Sequence, residues 1–127
     1  MSRVVVNSDL FEPIGPYNHV VKVGAQIFVS GTPGVDPATG RLAGEGAYGQ
    51  ARQAFLNVKS CVHAAGGDET HIAHVQVHLI QVSDFAEMNR AYAEVFTKPY
   101  PARTVMGIAA LPKEGALLTV NAQAVVG

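Results

Sequence analysis

Over residues 116–126 the chain changes character at nearly every position. Leu118, Val120, Ala122, Ala124 and Val126 are aliphatic, while Thr119, Asn121 and Gln123 alternate with them in the company of Leu117 and Val125. Side chains of a strand point to opposite faces in turn, so this is a β-strand with one apolar face and one mixed face. The apolar face needs a cover, and two segments of different period supply it. Ala51, Ala54, Phe55, Val58, Cys61, Val62 and Ala65 recur at helical steps and are followed by Gly66-Gly67, a pair suited to ending a helix. Phe85, Met88, Tyr92, Val95 and Phe96 predict the buried face of a second helix. It starts at Asp84-Phe85-Ala86-Glu87, which has capping-box spacing, and ends before Pro99 and Pro101.

The remaining segments fill in one sheet. Residues 20–23 and 26–30 are rich in β-branched side chains and flank Gly24-Ala25, a hairpin pattern. Residues 31–46 hold five glycines and two prolines and read as loop, with a turn at residues 36–40. Residues 72–82 alternate Ala73, Val75, Val77 and Leu79 with His74, Gln76 and His78; residues 103–109 and 116–126 are the last two strands. The order β-β-α-β-α-β-β predicts an α+β two-layer sandwich, a mixed sheet with two helices on one face. The uncovered face, part apolar and part polar, has the composition of a subunit interface.

Composition excludes several classes of function. A chain of 127 residues fits a single domain spanning 1–127. Nine Lys and Arg against ten Asp and Glu give a net charge of −1 and no basic track, so no nucleic-acid partner is expected. No segment approaches the ~18–20 apolar residues of a membrane span, and no signal-peptide pattern opens the chain. The expectation is a cytoplasmic protein without a membrane partner. Cys61 is the only cysteine; it sits on the helical stripe and reads as a buried structural thiol. His74 and His78 share a strand face but stand about 13 Å apart, too far to chelate one ion. They read as sheet or interface histidines, His63 as solvated, and no metal is expected. Ser30-Gly31 lacks a nucleophile elbow, and Gly31-Thr32-Pro33-Gly34 lacks the ending of a phosphate loop.

One segment points to chemistry. Tyr100-Pro101-Ala102-Arg103-Thr104 delivers an arginine to the start of an apolar strand in a chain only 15% charged. Guanidinium is planar, forked and permanently charged, suited to bidentate capture of a carboxylate. A structural ion pair at a strand end is the alternative. The other candidate groups are uncharged hydrogen-bonding residues: Tyr17, Ser30, Asn89, Thr119 and Asn121. The set suits a small carboxylate better than a phosphate ester or a polymer.

Ile14-Gly15-Pro16-Tyr17, Val29-Ser30-Gly31, Asn57-Val58-Lys59, Asp84-Phe85 through Asn89, Tyr92 and Phe96, and Pro101-Ala102-Arg103 with Leu111-Pro112-Lys113 resemble the Rid family of reactive-intermediate deaminases. This family is also called YjgF or L-PSP endoribonuclease. The motifs occur in order along nearly the whole chain. The resemblance implies a chorismate-mutase-like fold, a homotrimer with clefts between subunits, and hydrolysis of enamines and imines such as 2-aminoacrylate and 2-iminopropionate to 2-keto acids and ammonia. It implies no cofactor. Carried over residue by residue, it makes Arg103 the grip on the substrate carboxylate. Tyr17, Ser30, the Gly31 backbone and Asn89 line the cleft, and backbone near Val105 approaches the ligand.

Two positions depart from the family pattern. Val105 stands where cysteine is usual, and Asn121 where the last strand usually carries a glutamate that orients or activates water. An amide can position water, as can Thr119, but it has no useful basicity. Loss of a general base costs about 10²–10⁴ in rate. The resemblance therefore leaves open a trimer that binds small carboxylates without turning them over, as sensor or regulator. It also leaves open a deaminase of a larger amino-dienoate such as 2-aminomuconate.

Overall fold

The computed structural model describes residues 1–127. Strands β1 (Val4–Val5), β2 (Val20–Val23), β3 (Gln26–Thr32), β4 (Val35–Asp36) and β5 (Arg41–Leu42) precede helix α1 (Ala47–Ala64). Strand β6 (Ile72–Leu79), helix α2 (Phe85–Val95), β7 (Ala102–Gly107) and β8 (Leu118–Val125) follow. The main sheet runs β1-β2-β3-β8-β6-β7, with β6 and β7 parallel and every other pair antiparallel. The sheet is mixed and carries both helices on one face, as the alternating periods predict.

β8 lies between β3 and β6, which is why its pattern is so clean. Leu118, Val120, Ala122 and Ala124 are at most 2% exposed and join Phe55, Val58, Val62 and Met88 in one core. The helices are tied together by aromatic rings. Phe55 meets Tyr92 edge-on at 5.2 Å and Phe96 at 5.6 Å; each such pair is worth about 0.5–1.5 kcal/mol beyond its buried area. Gly24, at φ 57°, makes the β2–β3 turn, a conformation that only glycine adopts freely. Gly66, at φ 92°, ends α1 as its position predicts.

Several expectations are corrected. The loop over residues 31–46 contains the small β4–β5 hairpin, and β1 was not anticipated. β6 stops at Leu79 rather than continuing to residue 82, because Val82–Asp84 forms a 3₁₀ turn that leads into α2. Asp84 adopts φ −80°, ψ 3° within that turn and its side chain caps nothing. Glu87 bonds Arg90 at 2.7 Å instead. A capping box forms elsewhere, where the Asp68 carboxylate accepts from Thr70 N at 2.8 Å and Asp68 N donates to His71 Nδ1 at 2.9 Å. Phe85 is 41% exposed rather than buried. As the first residue of α2 it lies toward Arg103 of the edge strand.

Candidate active site

Arg103 pairs in register with Val75, whose side chain is fully buried under the helices, so both point to the helix-covered face. There the guanidinium reaches α2. Nη1 donates to Asn89 Oδ1 at 2.7 Å, and Cζ stands 4.7 Å from the Tyr92 ring centroid and 5.7 Å from that of Phe85. A guanidinium over an aromatic face is held by about 0.5–2 kcal/mol. No carboxylate neutralises it. The chain's ion pairs are Arg52–Glu94, Lys59–Glu69, His71–Asp68 and Arg90–Glu87, so the alternative of a structural ion pair at Arg103 is excluded within the chain. Beside it opens a cavity of ≈ 410 Å³ walled by Asn89, Tyr92, Ala93, Tyr100, Pro101 and Arg103. Burial pushes the Tyr92 hydroxyl above its ordinary pKa, partly offset by Arg103.

The loop before Arg103 is anchored from below. Thr97 donates from N and Oγ1 to Glu69 Oε2 at 2.6 and 2.8 Å, and Lys59 Nζ donates to Val95 O at 3.0 Å while pairing with Glu69 Oε1 at 3.1 Å. Burial alone would raise the Glu69 pKa. The hydrogen bonds from Thr97 and Lys59 outweigh it and hold the carboxyl below its ordinary value.

Tyr17, Ser30, Gly31 and Thr119 meet at a second, larger cavity of ≈ 690 Å³. A bulge makes this possible. Val29 pairs with Ala122 and Thr32 with Val120, so three steps on β3 match two on β8, which re-aims the bulged residues. The Ser30 hydroxyl donates to Asn18 O at 2.6 Å and holds the segment that carries Tyr17. A Cβ on Gly31 would stand 3.2 Å from Thr119 Oγ1, so the absent side chain keeps that hydroxyl accessible.

Three buried polar residues brace this cavity, and none was singled out from the sequence for that role. Gln50, 0% exposed, donates to Gly44 O and Gly115 O, both at 3.1 Å, and accepts from Leu117 N at 2.9 Å. Asn57 donates to Val35 O at 2.8 Å. His19, 6% exposed, bonds Phe11 O through Nε2 at 2.6 Å and packs edge-on against Phe11 and Tyr17. The available signal was a polar residue inside a buried pattern, clearest for Gln50 beside Ala51.

The two groups do not meet within one chain. Arg103, Asn89 and Val105 belong to the helix face at the β7 edge; Thr119 and Asn121 project from the other face of β8. Three strand steps separate β7 from β3, about 14 Å. Asn121 lies in neither cavity; its Nδ2 donates to Gln76 Oε1 at 2.5 Å across to β6. His74 Nε2 bonds Thr104 Oγ1 at 3.0 Å, and no group of three or more His, Cys, Asp or Glu converges. Cys61 is fully buried and its thiol is pushed up to about 12 by burial, which removes it as a nucleophile.

The family model described as Endoribonuclease L-PSP matches residues 8–126. The chain is 36% identical over 125 residues to the human protein named 2-iminobutanoate/2-iminopropanoate deaminase, covering 98% of this chain and 90% of that one. This chain belongs to the Rid family. It is also 38% identical over 122 residues to the RutC family protein y4sK of Sinorhizobium fredii, across 96% of each. The crystal structure of the E. coli YjgF gene product superposes with a TM-score of 0.91 at 33% identity, over 99% of this chain and all of that one. The Rid fold thus accounts for the mixed sheet and its two helices. No helix is long and apolar enough to cross a membrane.

Proposed function

We propose that this Rid chain hydrolyses enamine and imine derivatives of 2-amino acids, of the 2-aminoacrylate and 2-iminopropionate type, to 2-keto acids and ammonia. The reading places the reaction in clefts between the subunits of a homotrimer. One observation carries it: Arg103 is a half-buried cation with no acidic partner, oriented by Asn89 and Tyr92 on the wall of a cavity at an edge strand. Such a group binds a carboxylate at little reorganisation cost. The backbone edge of β7 and the mixed sheet face are the surfaces on which a second copy would bring Tyr17, Ser30, Gly31 and Thr119 to the same ligand.

In this arrangement Arg103 fixes the substrate carboxylate and withdraws electron density toward it. Water adds to the carbon of the protonated imine, one proton passes from the added oxygen to nitrogen in the carbinolamine, and the C–N bond then breaks to release ammonia, which carries off the remaining hydroxyl proton as the oxygen becomes the keto-acid carbonyl. The Tyr17, Ser30 and Thr119 hydroxyls supply hydrogen bonds to the nitrogen and to the water, whereas Asn121, expected from the sequence to orient water, is turned to Gln76 outside both cavities and takes no part. The strand offers no carboxylate at Thr119, Asn121 or Gln123, so catalysis rests on positioning and on the reactivity of the imine. The human relative, a protein named 2-iminobutanoate/2-iminopropanoate deaminase, supports the substrate class.

The test generates 2-iminopropionate in place with an amino-acid oxidase and times pyruvate release. The reading predicts a protein-dependent acceleration that Arg103→Ala removes. A rate equal to the buffer control refutes it. The absence of any carboxylate on the last strand favours a second reading, a trimer that binds carboxylates without turnover. That reading predicts thermal stabilisation by 2-keto acids, lost in Arg103→Ala, with no acceleration.

A further inference from the structure

We infer that His78 is the proton carrier of this site and works through the Thr119 hydroxyl, taking a proton as water adds and returning it to the nitrogen that leaves. The inference rests on the deaminase reading and supplies the base that β8 lacks.

The register of the sheet sets His78 there. Val77 and Leu79 are fully buried under the helices, so His78 between them points to the open face. On that face it stands directly opposite Thr119 of β8 and Met106 of β7. Directly opposed residues of antiparallel strands have Cβ atoms about 4.5–5.5 Å apart. An imidazole nitrogen and a hydroxyl at that spacing come within hydrogen-bond reach by rotation about χ1, a tightening expected when the substrate arrives. Thr119 in turn belongs with Tyr17 and Ser30 to the hydroxyl group of the site.

Its polar neighbours on the sheet are paired and His78 is not. Asn121 donates to Gln76, and His74 bonds Thr104. Three buried side-chain atoms have no hydrogen-bond partner in the chain: Nδ1 of His19, Nδ1 of His78 and the Tyr92 hydroxyl. Of these, only His78 lies across from Thr119. A hydrogen on its Nδ1 would be a buried donor without an acceptor. The neutral ring therefore carries its proton on Nε2 and leaves a bare lone pair at Nδ1, which is what a general base needs. No charged side chain flanks it on the sheet, where Met106, Gln76, Thr119 and Asn121 are its neighbours. His74 stands about 13 Å along the strand. On the far side of Thr119 the charged groups are Glu12 and Lys113, of opposite sign.

The proton count closes. As water adds to the imine carbon it gives one proton to Thr119 Oγ1, and Thr119 passes its own to His78 Nδ1. The imidazolium returns a proton by the same route to the carbinolamine nitrogen. The C–N bond then breaks, and the protein ends the cycle with the protons it began with.

The test measures kcat on 2-iminopropionate, made in place by an amino-acid oxidase, from about pH 5 to pH 8. It uses the full chain, His78→Gln, Thr119→Val, Thr119→Ser and the double variant His78→Gln/Thr119→Val, with pyruvate titrated by thermal shift to verify folding and binding in each. His78→Gln and Thr119→Val are each expected to lower kcat by about 100-fold with pyruvate affinity unchanged. The double variant is expected to lose no more than either single one, because the two residues act as a unit, and Thr119→Ser to keep its rate. The ratio of the unaltered protein's kcat to that of His78→Gln should fall as pH drops, since a protonated imidazole accepts nothing; taking the ratio removes the titration of the imine itself. An unchanged kcat in His78→Gln, losses that multiply in the double variant, or a ratio independent of pH overturns the inference and leaves the deaminase reading standing. If the unaltered protein accelerates nothing at any pH, the deaminase reading fails and the inference with it.

Discussion

Glu69 is the residue by which α1 and the loop before Arg103 are joined, and its replacement by Gln gives a worked test of that joint. The carboxylate accepts two hydrogen bonds from Thr97 and pairs with Lys59. Bonds to a charged group contribute about 1.5–3 kcal/mol each when buried, and screening at a side chain 20% exposed reduces this. Glutamine retains one acceptor oxygen, loses the charge and turns a donor toward either Lys59 or Thr97. The net cost at pH 7 is about 1–2 kcal/mol, or a fall in Tm of about 3–10 °C for a chain of this length. The pH dependence gives a sharper check. The folded carboxyl is held below its ordinary pKa, so its contribution is complete above the unfolded value of about 4.3. It is lost as pH falls through the folded value. Differential scanning calorimetry of both proteins should show a gap that is full at pH 7 and narrows progressively as pH falls below the unfolded carboxyl's value of about 4.3. Equal Tm values at pH 7, or a gap that persists in acid, refute the joint as described.

Gly34→Ala places a Cβ 2.1 Å from the backbone oxygen of Gln50, a contact that nothing flexible can relieve, and should cost about 3 kcal/mol or more in urea unfolding. Gly31→Ala meets only the Thr119 hydroxyl, at 3.2 Å; it should leave stability within about 1 kcal/mol while raising KM. His19→Gln keeps a donor for Phe11 O and should retain activity, whereas His19→Leu frees the segment carrying Tyr17 and should raise KM with a smaller effect on kcat; equal kinetics in the two variants contradict its bracing role. Cys61, buried with its thiol pushed up to about 12, should react with a thiol reagent only at the rate of unfolding.

The fold was legible where pattern and burial coincide. β8 is central, so its alternation is sharp, and α1 ends at the glycine that its stripe leads to. Asp84 and Phe85 misled for a shared reason: the 3₁₀ turn at Val82–Asp84 sets their backbone, and spacing alone does not reveal it. Arg103 stood out because a proline-stiffened loop delivers it to the start of an apolar strand in a chain so poor in charge. Its surroundings were less visible. Asn89 and Tyr92 reach it through the packing of α2 over β7, a long-range arrangement. Gln50, Asn57 and His19 brace a cavity whose walls come from segments far apart in sequence, so their role depends on which loops lie beside them.

A crystal structure of the protein with 2-ketobutyrate bound tests the central claim most directly. The account predicts the ligand carboxylate bidentate on Arg103 at about 2.8 Å, with Tyr17 and Ser30 of a neighbouring copy touching the same molecule. A ligand bound away from Arg103, or a guanidinium still turned to Asn89 with no second copy at the β7 edge, would contradict it.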